Sequence, residues 1–329
     1  MNFSDRSCRS ASRSNLVEWL EGETLFSLCS RYHILSQART TRETCMDLFG
    51  HPSISAYGDF PARLDFFHAR TRGELGTPIH IVYEHSILPF FLSVQSESYC
   101  ESTIAEAIRD LHASPRAWRF MRGINDTRFG RIPIYKACRV CMVRDMHCFG
   151  VPFWHVEHQI PGVWACTEHR THLIAVAPKV TLLKCADWRL PETFELTYRP
   201  TRDLRFSASH FRFFEICTSY YRCCQAGGGF DFFVVGQVLK RRVCEFGFSD
   251  NSFDEALTHF ESATSALKEI PELFPVLLTM RTRRAIFGWI AGAPAMPANP
   301  IIFLSVVFWL FSSWSDFERE LQLAPVEPR

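Results

Sequence analysis

The chain has 329 residues, a hydrophobic content of 47% and a formal net charge of +1. This length is enough for two or three domains with real cores, so the composition excludes a disordered or fibrous protein. The 13 cysteines are odd in number and scattered along the chain, which argues against a disulfide framework and for a reducing compartment. We therefore expect a folded cytoplasmic protein.

The N-terminal part of the sequence predicts a flexible arm followed by a helical domain. Residues 1–18 open with a stretch rich in Ser and Arg that lacks the apolar core of a signal peptide. Apolar residues recur at helical spacing in residues 23–36, a second helix is expected after Thr41, and Pro89 interrupts a later apolar segment. These signals predict one mainly helical domain over residues 19–130.

A strongly basic segment follows, although the charge of the whole chain is nearly balanced. Residues 115–144 contain seven Arg and one Lys against a single Asp, whereas residues 245–272 contain seven acids and one Lys. Clustered cations are the electrostatic footprint of a phosphate-binding surface, but Arg also covers solvated helix faces. The candidate DNA contacts in this segment are Arg116, Arg119, Arg122, Arg128, Arg131, Lys136 and Arg139.

Two matched pairs of metal-ligand residues lie at the end of the basic segment. Cys138 and Cys141 are separated by two residues, and so are Cys166 and His169, in the pattern C-x2-C-x24-C-x2-H. Two short knuckles with two ligands each suit a tetrahedral zinc ion that has no open coordination position. We predict a small zinc-ribbon-like module over residues 131–178, in which zinc supplies folding free energy. The alternative is four ordinary buried cysteine and histidine side chains.

The remaining residues, 179–329, predict a C-terminal helical domain. Helical periodicity is present near residues 209–225, 231–245, 252–268 and 301–318. Such short helices are compatible with a helix-turn-helix reader of DNA, and equally with a docking domain. Further candidate DNA contacts are Lys240, Arg241 and Arg242.

The most apolar stretch, residues 301–311, is too short for a membrane span. It has 11 residues, of which ten are apolar and one is Ser305, and a span needs about 20. We expect it to be a buried core helix that continues to Asp316, and we expect no membrane association. The fold class predicted for the whole chain is mainly α and multidomain.

Motifs of catalysis are missing from the sequence. The segment HVEH, residues 155–158, spaces its two histidines by three positions, whereas a zinc hydrolase helix needs four. The chain contains neither a G-x-x-x-x-G-K-[ST] loop nor a G-x-S-x-G elbow. We predict no catalytic residue, and a zinc-dependent hydrolase remains a remote alternative.

Several stretches together resemble the TniQ/TnsD family of transposon target-selection proteins. Glu23, Thr24 and Arg31 are similar to the N-terminal signature of that family, and YEHSILPFF at 83–91 is similar to a further segment. The strongest similarity is FWHVEHQIPGVWACTEH, together with the four predicted zinc ligands. The chain departs from the family in having Arg139 after the first cysteine and Arg170 after the ligand histidine.

The resemblance implies a non-catalytic adaptor in DNA transposition. Such an adaptor recognises target DNA or a targeting complex and recruits an AAA+ ATPase regulator, which in turn activates a transposase; a CRISPR effector complex is a further partner in some systems. The alternative, from a different class, is a docking scaffold that joins an effector complex to the ATPase without touching DNA.

Overall fold

The structure is a computed structural model that describes residues 17–52, 54, 61–109, 135–176, 188–193, 206–248, 252–270 and 300–324, with the single residues 273, 277, 283, 286 and 288. Within these residues it contains 13 α-helices and one sheet of two short strands. The mainly α fold class is therefore confirmed. Of the predicted N-terminal arm, only residues 17 and 18 fall in the described part.

Six helices form the N-terminal part of the described fold. They are α1 (Leu25–Leu35), α2 (Thr41–Phe49), α3 (Leu64–Arg70), α4 (Pro78–Glu84), α5 (Leu88–Leu92) and α6 (Glu97–Arg109). The hydroxyls of Thr24, Thr40 and Thr77 cap the first turns of α1, α2 and α4 by accepting backbone N–H groups. Pro89 lies in the first turn of α5, where a helix needs no amide hydrogen.

A two-stranded sheet and two helices form the segment that carries the predicted metal ligands. Its elements are β1 (Tyr135–Ala137), α7 (Arg139–Phe149), α8 (Val156–Gln159) and β2 (Ile174–Val176). The strands are antiparallel, with Lys136 opposite Ala175. Because β1 leads into the first cysteine pair and β2 follows the second pair, the sheet brings the two knuckles to one place.

Five helices form the C-terminal part of the described fold. They are α9 (Ala208–Gln225), α10 (Phe232–Glu245), α11 (Phe253–Ala263), α12 (Pro300–Leu310) and α13 (Trp314–Gln322), with 3-10 turns at Pro191–Thr193 and Ser265–Glu269. All eleven residues of α12 are buried, which agrees with the predicted core helix. The helix does not continue to Asp316 as predicted, because Ser313 caps a separate helix, α13, with its hydroxyl.

Among the described residues, no single helix has the length and apolarity needed to cross a bilayer. Only α12 and α13 taken together, a pair bent by 89°, meet the criteria of length and composition there.

The three predicted units share one hydrophobic core within the described residues. Buried apolar side chains from the N-terminal helices, the metal-ligand segment and the C-terminal helices form a single continuous cluster. Tyr220 and Tyr221 of α9 donate hydrogen bonds to the carbonyls of Phe90 and Ser86, respectively. The predicted boundaries at 130 and 178 lie outside the described residues, so the division into domains stays a prediction.

Candidate metal centre

Local backbone structure places the four candidate ligands on two tight turns. Cys138 is the N-cap residue of α7 in extended conformation, so Cys141 follows in the first turn of the helix. Cys166 and His169 lie on a turn closed by the bond from Arg170 N to Cys166 O, 2.8 Å. Arg170 adopts a left-handed φ of 51°, at a cost on the order of 1 kcal/mol for a residue other than Gly. Arg139 and Arg170 are therefore accommodated at the two positions where the chain departs from the family pattern.

The ligand atoms of these residues form a compact cluster. His169 Nδ1 lies 3.8 Å from Cys138 Sγ, 3.3 Å from Cys141 Sγ and 3.4 Å from Cys166 Sγ. The Sγ atoms of Cys141 and Cys166 are 3.8 Å apart, and all four ligand atoms lie within 4.8 Å of one another. A tetrahedral ion with bonds of about 2.3 Å to sulfur and 2.0–2.1 Å to nitrogen separates its ligand atoms by about 3.5 to 3.8 Å. The cluster could therefore hold a metal ion.

Polar side chains surround the cluster and hydrogen-bond its sulfur atoms. Thr171 Oγ1 lies 3.1 Å from Cys138 Sγ, and His158 Nε2 lies 3.8 Å from Cys141 Sγ. Burial lowers the pKa of His158 well below its ordinary value, so the ring is neutral and offers one N–H. Hydrogen bonds with Cys141 and Cys166 lower the pKa of Cys138, and the same bonds to Cys138 raise the pKa of Cys141 and of Cys166. The thiols therefore share protons when no ion is bound, and a metal ion would have to displace the remaining protons to bind three thiolates.

Comparison with known families identifies the region that contains this cluster. Residues 16–173 match the family model described as TniQ. The chain carries a TniQ domain. The match supports membership of the TniQ family, which is associated with transposition, and it spans α1 to α8 and all four cluster residues. A comparison with curated protein sequences gave no match.

The Glu-Thr pair at the start of the TniQ domain joins α1 to the segment between the two knuckles. The carboxylate of Glu23 is fully buried and accepts hydrogen bonds from Arg31 Nε and a terminal guanidinium nitrogen, 2.8 and 2.6 Å. Burial raises the pKa of Glu23, and the Arg31 guanidinium opposes the shift. Glu23 also forms an antiparallel bridge with His155, and Thr24 N donates to Trp154 O, 3.0 Å. The pair therefore fixes α1 to the metal-ligand segment.

The structure corrects the prediction for Lys136. Its side chain is only 1% exposed, and its Nζ donates to the carbonyls of Ile160 and Val163 at 3.0 and 2.7 Å. The ammonium also lies over the Trp164 ring, 5.3 Å from the ring centroid. Lys136 therefore ties β1 to the loop that leads to Cys166, and it presents no surface to a phosphate.

The other predicted DNA contacts fall into three groups. Arg116, Arg119, Arg122, Arg128 and Arg131 lie outside the described residues. Arg139 is exposed at the start of α7. The C-terminal candidates are engaged with their own chain: Arg241 pairs with Glu320 at 2.6 Å and Arg242 with Glu245 at 2.7 Å, and Lys240 is half-buried.

Neither histidine of the HVEH segment belongs to the four-residue cluster. His155 Nε2 bonds the buried carboxylate of Asp145 at 2.7 Å, and His158 faces Cys141. Sequence analysis did not identify Thr171 as a partner of the cluster. The sequence feature that indicates the role of Thr171 is a hydroxyl residue two positions after the ligand His169, at the end of the second knuckle.

Proposed function

We propose that this protein is a non-catalytic adaptor in DNA transposition, stabilised by one zinc ion, that recognises a target and recruits an AAA+ ATPase regulator. The observation that carries the proposal is the four-residue cluster inside a TniQ domain. Three thiolates and one imidazole in tetrahedral arrangement are the donor set of structural zinc. The ligands would be Cys138, Cys141, Cys166 and His169.

The arrangement of the cluster supports a structural role for the metal. Four protein ligands occupy every position of a tetrahedral ion, so no site is left for a water or a substrate. The three cysteines are buried and the cluster lies against the shared core. A bound ion would fix the backbone of both knuckles, and through them the orientation of β1 and α7.

Target recognition is proposed to use phosphate contacts from the basic segment. Its arginines Arg116, Arg119, Arg122, Arg128 and Arg131, with the exposed Arg139, remain the candidates. Lys136 is removed from this set because it is buried. The C-terminal candidates are weaker candidates than the arginines of the basic segment; they are Lys240, Arg241 and Arg242. Arg241 and Arg242 are already neutralised by glutamates, and an exposed ion pair gains little from exchanging one anion for another.

The ion pairs of the C-terminal part favour a second candidate function. Arg241, Arg242 and Arg283 each pair with a glutamate of the chain itself, at 2.6 to 2.9 Å. Cations that are already neutralised within the chain offer little free positive charge to phosphates. The second candidate is therefore a scaffold that joins an effector complex to the ATPase without binding DNA.

Salt-dependent DNA binding separates the two candidates. We expect the purified protein to hold about one zinc per chain and to bind duplex DNA with an affinity that falls steeply with salt. Replacing Arg119, Arg122 and Arg128 together by Gln should weaken binding. The slope of log affinity against log salt concentration should also become less steep, by roughly 0.9 for each phosphate that the variant no longer neutralises.

The matched control replaces Arg241, Arg242 and Arg283 by Gln, which removes the same formal charge from side chains that are paired with glutamates. We expect this variant to bind like the unmodified protein. If the unmodified protein is not retained on DNA at moderate salt but still co-purifies with the ATPase, the scaffold is correct. If it binds neither, the adaptor proposal is wrong.

A further inference from the structure

Arg170 closes the second knuckle in a backbone conformation that disfavours its own side chain. Its N–H donates to Cys166 O and Cys166 N donates to Thr171 O, both at 2.8 Å, so the chain reverses direction at Arg170. The φ of 51° at this reversal is left-handed. Glycine adopts that region without strain, whereas any other residue brings its Cβ too close to a carbonyl oxygen. Because Cys166 and the ligand His169 lie on this turn, the strain is located within the ligand set.

The side chain of Arg170 leaves the knuckle and contacts α9. Its guanidinium carbon lies 4.8 Å from the centroid of the Phe211 ring, and a terminal guanidinium nitrogen lies 3.7 Å from the Glu215 carboxylate. Phe211 and Glu215 are four residues apart and are therefore neighbours on one face of the helix. The strain thus belongs to the metal cluster, while the contacts that offset it are provided by the C-terminal part of the chain.

Two further contacts hold α9 against the metal-ligand segment. His172, just after the turn, stacks on Phe206 with ring centroids 4.3 Å apart, and Phe206 immediately precedes the cap of α9. Further along the helix, Arg222 pairs with Glu157 of α8 at 2.6 Å. Residues 211, 215 and 222 recur at helical spacing, so one face of α9 follows the metal-ligand segment. A movement of the second knuckle therefore changes its contacts with α9.

The magnitudes explain why the contacts of Arg170 matter for metal binding. An exposed ion pair and an exposed cation–π contact are each weak. Together they are comparable to the cost of one left-handed residue that is not glycine. If α9 moves away, that cost is no longer offset, and it falls on the turn that supplies two of the four ligands.

We propose that Arg170 is a coupling residue that links metal binding by the second knuckle to the docking of α9. Displacement of α9 would weaken metal binding, and loss of the metal would loosen α9 by the same factor, because such coupling is reciprocal. The proposal rests on the zinc site of the proposed function and adds that zinc controls the position of the C-terminal helices.

The test is a double-mutant cycle on the full-length protein, with zinc affinity measured by competition with a chromogenic chelator. Phe211→Leu removes the ring beneath the guanidinium but keeps an apolar side chain, and it should weaken zinc binding about threefold. In an Arg170→Gly background the same change should alter zinc affinity by less than about 1.5-fold, because glycine needs no compensating contact.

The strain itself is tested by two substitutions of Arg170. Arg170→Gly removes both the strain and the contacts, so it should bind zinc at least as tightly as the unmodified protein. Arg170→Ala keeps the strain and loses the contacts, so it should bind zinc about threefold more weakly or worse. Equal affinities of the two variants would show that the left-handed turn imposes no cost on metal binding, which contradicts the proposal.

Two variants guard against a simple loss of folding. Glu215→Gln changes an exposed carboxylate, so it should leave the fold intact and weaken zinc binding slightly, by up to about twofold. Phe233→Leu is the matched control, because Phe233 is a half-exposed ring on α10, and we expect unchanged zinc affinity. Hydrogen exchange gives the reciprocal measurement: chelation should lower protection in the first turns of α9 by a larger factor in the unmodified protein than in Arg170→Gly.

The outcomes separate this inference from the adaptor function. If Phe211→Leu leaves zinc affinity unchanged, or weakens it equally in the Arg170→Gly background, Arg170 does not couple the knuckle to α9, and the adaptor proposal stands. If the unmodified protein binds no zinc, both the coupling and the zinc-stabilised adaptor are wrong.

Discussion

At the scale of single residues, the ammonium of Lys136 connects the two halves of the ligand set. Replacing Lys136 by Met keeps the length of the side chain but leaves the carbonyls of Ile160 and Val163 without their buried donor. Since each such loss costs about 1–3 kcal/mol, we expect Lys136→Met to lower the free energy of unfolding by about 2–4 kcal/mol. Chemical denaturation of the zinc-loaded protein measures the change.

The neighbouring Arg139 provides a control for Lys136. Arg139 is exposed, so Arg139→Met should change the free energy of unfolding by less than about 0.5 kcal/mol. A stable Lys136→Met variant with weakened DNA binding would contradict the structural role and restore the phosphate contact predicted from the sequence.

The hydroxyl of Thr171 is expected to tune the affinity of the cluster for zinc. It lies 3.1 Å from Cys138 Sγ and can donate to the thiolate of a loaded site. Hydrogen bonds to ligands typically change metal affinity by about 10–100-fold. Thr171→Val, which keeps the shape of the side chain, should therefore weaken zinc binding about tenfold, as measured by competition with a chromogenic chelator.

Thr171→Ser restores the hydroxyl and should retain near-normal zinc affinity. If Thr171→Val and Thr171→Ser hold zinc equally well, the contact with Cys138 has no influence on the metal.

At the scale of elements, the end of α4 meets the start of α1 through the ring of His85. This ring stacks on Trp19 with centroids 3.4 Å apart, its Nδ1 donates to the Glu23 carbonyl at 2.7 Å, and His80 packs against its edge. Burial lowers the pKa of His85 from 6.5 to about 4, and the bond to Glu23 opposes this shift in part. The junction therefore requires a neutral imidazole.

The lowered pKa predicts a loss of stability in weak acid. Between pH 6.5 and about 4 the unfolded chain binds a proton at His85 that the folded chain does not, so the free energy of unfolding falls as the pH falls. This difference between the pKa of His85 in the unfolded and in the folded chain corresponds to a change of at most about 3 kcal/mol in the free energy of unfolding. His85→Asn keeps a donor to the Glu23 carbonyl and should lose this part of the pH dependence.

Denaturation curves at pH 7 and pH 5 measure the effect. Protonation of the zinc ligands also weakens the fold in acid, but it affects the unmodified protein and His85→Asn equally. The difference between the two proteins in the slope of unfolding free energy against pH therefore isolates His85. Identical slopes would mean that His85 does not control the junction.

The elements also show what the sequence could and could not predict. The C-x-x-C and C-x-x-H spacings predicted the cluster, because ligands on one tight turn are fixed by local backbone geometry. Local periodicity likewise predicted α1 and the buried helix α12. The break at Ser313 was missed, since the apolar pattern runs through it and only the capping hydroxyl marks it. The role of Lys136 was missed because its acceptors are 24 and 27 residues away in the chain.

At the scale of the whole molecule, the metal cluster and the N-terminal helices are expected to be coupled. The chain between the two knuckles pairs with the start of α1: Thr24 N donates to Trp154 O, and Val156 N donates to Gly22 O at 2.8 Å. Trp154 N also donates to the Ser27 hydroxyl of α1, 3.0 Å. If these hydrogen bonds depend on the knuckles being held together, loss of the metal weakens α1 as well as the metal-ligand segment.

Metal removal tests this coupling. We expect Cys166→Ser, or chelation of the unmodified protein, to abolish hydrogen-exchange protection in α7 and to lower it in α1 at least tenfold, since binding energies of structural zinc sites are about 10 kcal/mol or more. Cys244→Ser is the control, because Cys244 is exposed and free at the end of α10. Unchanged protection of α1 after complete metal loss would show that the N-terminal helices fold independently, as the predicted boundary at residue 130 implies. Reduced protection in both segments would make the cluster and α1 one cooperative unit, so that zinc would set the stability of the surface presented to partners.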